Sequence, residues 1–152
     1  MALDRNQIGV VSEPRVVDVE LGQLKFFAKA TGETNPIYFD PEAARAAGHR
    51  AVPAPPTFCL SLHLAAPAQR GGLLDKEHGL GVDMARMLHG EQHFAHHQPI
   101  YAGDRITVTT TTADIYEKKG GLLDFVVRET RVTNEAGEHV ADLRGVLVHR
   151  NT

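Results

Sequence analysis

Apolar positions in the first third of the chain recur at helical spacing. Leu21, Leu24, Phe27 and Ala28 mark one face of a helix over Val19–Ala30, which Thr31-Gly32 brings to an end. Asp40 suits an N-cap, Pro41 the first helical position and Gly48 the stop, so DPEAARAAG reads as a short second helix. Prolines at 53, 55 and 56 forbid helix until Thr57, and FCLSLHLAA then runs apolar on nearly every side up to Pro67. A helix of that kind, over 57–66, has to be buried all round. The stretch GGLLDKEHGLG reads as a flexible connector.

The second half changes period. RMLHGEQHFAHHQ, RITVTTTTADIYE, LLDFVVRETRVT and HVADLRGVLVHR are β-branched runs separated by turns at PIYAGD, KKGG and NEAGE, the signature of hairpins. In LLDFVVRETRVT, Phe125, Val127, Glu129 and Arg131 share one face, and Val126, Arg128, Thr130 and Val132 the other. Each face carries apolar residues, which fits a sheet packed on two sides. The economical architecture is α+β, an antiparallel sheet wrapped around the one buried helix.

Composition narrows the possibilities. A chain of 152 residues, 42% hydrophobic, fits one compact domain over 1–152, with no internal repeat or boundary. Nineteen acidic against sixteen basic residues, with no basic block, argue against a nucleic-acid or membrane-surface partner. The lone Cys59 allows no disulfide within the chain, and MALDRNQIG lacks the layout of a signal peptide. No apolar stretch approaches membrane-spanning length, so a reducing cytoplasm is the default location.

Between the first two helices lies TGETNPIYFD, which packs Glu33, Asn35, Pro36 and Tyr38 into six positions. On residues alone, Thr34 and Asn35 are ordinary turn formers and Glu33 a solvated carboxylate. However, FAKATGETNPIYFD, followed by the AARAAG helix and APPTF, resembles the MaoC-like family of hot-dog dehydratases and hydratases. LHGEQHFAHHQPIYAGD resembles the accessory or N-terminal halves in the same family, as in two-domain R-specific enoyl-CoA hydratases. The likeness runs from about Val19 to the C-terminus. It implies a single hot-dog domain, an acyl-thioester substrate carried on coenzyme A or a carrier protein, and no cofactor. It also implies pairing with a second hot-dog chain, as a homodimer or a heterodimer, with the sites at the interface.

Hydration of an enoyl thioester needs a group to position water, a group to move a proton and donors for the enolate oxygen. The resemblance implies the pattern Asp-x-Asn-Pro-x-His, with a glycine further on whose N–H opens the buried helix as oxyanion donor. Here Asn35 and Pro36 are in place, but Glu33 stands for the Asp, Tyr38 for the His and, counting forward without gaps, Pro56 for the glycine. Asp to Glu moves the carboxylate by one methylene, and misplacement near an ångström costs about 100-fold in rate. Tyr, with a pKa of about 10, shuttles protons poorly at pH 7. Pro56 has no N–H, a loss that typically costs ~10²–10³ in rate. Together these departures describe a retired active site. A simpler role for Pro55-Pro56 is to start the helix.

The substrate-binding residues then expected are Asn35 and Pro56, Phe58 and Leu62 (with Ala65) lining an apolar tunnel, and His89, Gly90, Glu91 and Gln92 along its mouth. The plainer alternative for that strand is a polar face at a dimer interface. Strand alternation puts His89, Glu91, His93 and His97 on one face, but alternate side chains lie about 6.6–7 Å apart, too far for adjacent metal ligands without a partner element, so no metal is expected. Cys59 reads as a core thiol. Three functions remain open: a non-catalytic, substrate-binding subunit whose partner carries the Asp/His dyad; a self-sufficient homodimeric hydratase or thioesterase using Glu33; and a non-enzymatic acyl-thioester binding module.

Overall fold

Residues 3–64 and 70–151 are described in a computed structural model. The elements in chain order are β1 (Arg15–Asp18), α1 (Leu21–Ala30), α2 (Pro41–Ala46), α3 (Phe58–Leu64), β2 (Met87–His96), β3 (Arg105–Lys118), β4 (Leu123–Asn134) and β5 (His139–Arg150). Short 3-10 turns occupy Arg5–Gln7, Pro36–Tyr38 and Met84–Arg86.

The strands form one antiparallel sheet in the order β1-β3-β4-β5-β2. Its three longest strands follow one another through hairpins, as the turn sequences predict. The β3–β4 turn is left-handed at Lys119, Gly120 and Gly121, with φ of +53°, +64° and +83°, so the glycines supply a conformation other residues resist. The strand β1 is absent from the expectation. Four residues are too few to show alternation, and only pairing with β3 makes them a strand. Correspondingly, α1 begins at Leu21 rather than Val19, because Val19 is still in the extended segment and hydrogen-bonded to Asp104.

Helix ends obey local chemistry. Asp40 accepts a hydrogen bond from the Glu42 N–H at 2.9 Å, and Pro41 fills the first position of α2. Both α1 and α2 close in Schellman motifs. Gly32 and Glu33 donate to Lys29 and Ala28, and Gly48 and His49 to Arg45 and Ala44, with left-handed glycines at 32 and 48.

Phe58, Cys59 and Leu62 of α3 pack with Ile106, Val108, Val132, Val140, Ala141 and Leu143 of the sheet. This is the sheet-around-helix architecture of a hot-dog fold. Burial of the helix is one-sided, though, for Leu64 is 67% exposed. The expectation of burial all round is corrected here, and the reason is that the second face of α3 borders a cavity rather than more protein. Residues 65 and 66, at the end of the expected helix, and with them Ala65, lie outside the described residues.

Candidate functional site

The loop after α1 is built by its own side chains. Asn35 accepts a hydrogen bond from the Ile37 N–H at 3.2 Å and Pro36 begins the 3-10 turn, so both hold the shape of the loop. Glu33 and Tyr38 are half-buried. Burial raises the Tyr38 phenol above its ordinary value, and the charge of Glu33 raises it further. The carboxylate is thus close enough to be felt, and the Tyr38 phenol keeps its proton at neutral pH. Pro56 is exposed immediately before α3, and its carbonyl accepts from the Cys59 thiol at 3.5 Å. Burial also pushes that thiol up to about 11, so Cys59 is a protonated core thiol.

A cavity of about 440 Å³ lies between α3, the loop after it and the inner face of the sheet. Its apolar wall includes Leu60, Leu64, Leu73, Met87 and Leu147, and it reaches His89 and Gln92 on β2. A volume of this size and a mostly apolar lining with a few polar groups match a site for a small aliphatic ligand. The helix residues on its wall are Leu60, His63 and Leu64. Phe58 and Leu62, taken from the sequence as tunnel residues, sit in the packed core at 3% and 1% exposure, on the other side of the helix. Glu33, Asn35, Tyr38 and Pro56 are not on the cavity wall within this chain.

The arrangement on β2 also departs from simple alternation. The register with β5 shifts between His89 and Glu91, a bulge centred on Gly90. An extra residue reverses the parity of the strand. His89 and Gln92 therefore meet, Nε2 to Oε1 at 3.1 Å, at the cavity, while His93 turns to Glu91, Nε2 to Oε2 at 3.4 Å. The expected shared face of His89 and His93 is thus split. A β-carbon at Gly90 would come within 3.1 Å of the Val146 carbonyl oxygen, which is why a glycine carries the bulge.

His97 gains the partner element that strand spacing alone denies it. Its Nε2 lies 2.9 Å from Asp142 Oδ2, and His139 Nε2 lies 2.8 Å from Asp142 Oδ1. The three ligand atoms fall within 4.8 Å of one another, a donor set able to accept a divalent ion. The carboxylate is already satisfied by both imidazoles. Burial raises its pKa, but those two hydrogen bonds and the imidazole charge outweigh that effect and hold it below its ordinary value.

The sheet floor holds residues that pattern reading passed over. Two apolar clusters, one around Leu62 and Val132 and the other around Leu80, Val82, Ile115 and Val126, are separated by a polar band. In that band Thr110 and Thr130 share a hydrogen bond of 2.8 Å, and Arg128 Nη1 donates to Thr112 Oγ1 at 2.7 Å. Arg128 is 8% exposed, and burial pushes its guanidinium down to about 10, still charged at neutral pH. His63 faces the same space. Burial, then the charges of Arg15 and Arg128, lower its pKa to about 4, so the ring is neutral. The available signal was Arg128 on the same strand face as Val126 and Val132, a charge among core positions.

The profile of the family described as FAS1-like, dehydratase domain region, matches residues 6–143. The chain belongs to this family, and its fold is the hot-dog fold. A UPF0336 protein of Streptomyces avermitilis is 42% identical over 152 residues, covering 99% of this chain and 97% of the relative. The HadBC (3R-hydroxyacyl-ACP dehydratase) complex of Mycobacterium tuberculosis superposes with a TM-score of 0.74 at 26% identity, covering 93% of this chain and 96% of that one. The R-hydratase PhaJ1 of Pseudomonas aeruginosa shares the fold, with a TM-score of 0.71 at 20% identity over 95% of this chain and 83% of that one. Among the described residues no helix is long and apolar enough to cross a membrane.

Proposed function

We propose that this chain is the substrate-binding, non-catalytic subunit of a heteromeric (3R)-hydroxyacyl-thioester dehydratase, or of the corresponding R-specific enoyl-thioester hydratase. A second hot-dog chain supplies the Asp/His pair, and this chain houses the acyl tail. The observation that carries the reading is a formed apolar cavity in a chain whose dyad positions hold Glu33 and a protonated Tyr38. Proton transfer at neutral pH needs a group that titrates near it, and a phenol pushed above its usual value is the wrong group. Pro56 removes a donor as well.

The similarity to a two-component dehydratase supports the heteromeric form. The molecule itself offers a surface for a partner. Leu64, Leu74, Met84 and Leu88 surround the cavity mouth at 46–67% exposure, beside the unpaired edge of β2. Apolar groups clustered at a sheet edge are what association covers.

The test is turnover of a crotonyl-type thioester. The purified chain alone is expected to give negligible hydration, and activity appears on adding a hot-dog chain that carries an intact Asp/His dyad. Substantial turnover by the wild-type chain alone, abolished by Glu33→Gln, would overturn this reading in favour of a self-sufficient enzyme.

A further inference from the structure

The polar band on the cavity floor is a continuous row across the sheet. Thr112 pairs with Arg128, Arg128 with Gly145 and Gly145 with Gln92, in register through β3, β4, β5 and β2. Arg128 and Gln92 both line the cavity, and between them Gly145 has no side chain. A β-carbon there would lie 3.1 Å from Gln92 Oε1, so the glycine leaves the amide room beside the guanidinium. Opposite the row, His63 on α3 lines the same cavity, and its buried Nδ1 has no hydrogen-bond partner among the described residues.

Arg128 is the unusual member. A guanidinium carries five N–H donors, and the hydrogen bond to Thr112 uses one nitrogen. No acidic side chain pairs with it, and none lines the cavity among the described residues. Residues 65–69, AAPAQ, carry no acidic side chain either. Taking an arginine out of water without a counter-ion is costly, and a packing role in this position would be filled as well by methionine. Arg15 on the same wall donates a hydrogen bond to the His63 carbonyl. A buried cation, an amide and an imidazole nitrogen thus line a mostly aliphatic cavity that has no acidic side chain among its described residues.

We propose that this cavity takes an aliphatic chain ending in a carboxylate, whose oxygens sit against the free edge of the Arg128 guanidinium, with the Gln92 amide and the His63 ring beside them. The chemistry is that of a planar, bidentate arginine–carboxylate pair, with the methylenes lying along Leu60, Leu64 and Leu73. Two sources present that group: a free fatty acid, and an acyl thioester that bears a second carboxyl at its far end. The second source rests on the acyl-binding reading given above.

The full-length chain is titrated calorimetrically with decanoate, decan-1-ol, decanoyl-CoA and the mono-CoA thioester of decanedioic acid. Decanoate is expected to bind about tenfold or more tightly than decanol, and the carboxyl-tipped thioester to exceed decanoyl-CoA by a similar factor. Arg128→Met removes both differences, while Arg128→Lys restores part of each. If Arg128→Met fails to fold, the wild-type comparison of charged with neutral ligands decides by itself. Equal binding of charged and neutral partners overturns the inference, and with decanoyl-CoA still bound the acyl-binding reading stands. Arg128-dependent decanoate binding without binding of either thioester supports the inference and removes that reading. No binding of any of the four overturns both.

Discussion

Single side chains in this molecule carry opposite kinds of information. His63 is neutral because burial and two arginines disfavour its charge, so the unfolded chain takes up its proton at a higher pH than the folded one. The stability this contributes is complete above about pH 6.5, the unfolded value, and is lost as pH falls toward about 4. Urea unfolding should show a decline on the order of 2 kcal/mol across that window, and His63→Gln should flatten it. A slope unchanged by the substitution would show that His63 is not buried beside Arg15 and Arg128. On the proposed reading of Glu33 and Tyr38 as a lost dyad, Glu33→Asp with Tyr38→His should leave the isolated chain without measurable hydration, because Pro56 offers no N–H. Adding Pro56→Gly should then bring hydration into the measurable range, since one such donor is worth ~10²–10³ in rate. Full turnover by the double variant would show that Pro56 does not stand at the oxyanion position.

At the scale of the element, α3 divides its labour between two faces. Leu62 is 1% exposed within the core and Leu64 67% exposed at the cavity mouth. Leu62→Ala should cost about 2–5 kcal/mol in chemical denaturation and Leu64→Ala less than about 0.5. Similar costs at both positions would mean that the helix sits differently against the sheet. On β2 the bulge depends on Gly90, whose added β-carbon would press on the Val146 carbonyl oxygen at 3.1 Å. Gly90→Ala should destabilise by about 1 kcal/mol, a fall of roughly 2–4 °C in Tm. Its loss of the His89–Gln92 contact is checked by weakened binding of decanoyl-CoA.

Across the whole molecule, β2 is one edge of the sheet, and exposed Leu64, Leu74, Met84 and Leu88 gather beside it. The chain should therefore associate, with itself or with a second hot-dog chain, at micromolar concentration. Multi-angle light scattering checks this. A monomer, both alone and mixed with an Asp/His-bearing partner, would sink the association. Leu88→Glu with Met84→Glu should abolish association while leaving the fold intact, since both residues are exposed in the single chain.

What the sequence determined by itself were the features set by local chemistry. Helical spacing in α1, the Asp40-Pro41 start and Gly48 stop of α2, the prolines before α3 and the glycine-bearing turns between strands all act over a few residues, and each is legible in the order of amino acids. The turn at Asn35-Pro36 was equally legible, because an amide that caps the N–H two residues on and a proline that starts the 3-10 turn both act locally. Tertiary structure alone decided which side of α3 meets the core and which the cavity, since an apolar run on every side has no period to orient it. It also decided the faces of β2, for a single-residue bulge reverses alternation without changing composition. The meeting of Arg128, Gln92 and His63 was settled in the same way. They come from β4, β2 and α3, and their nearness follows from strand register and helix packing, interactions between residues far apart in the chain.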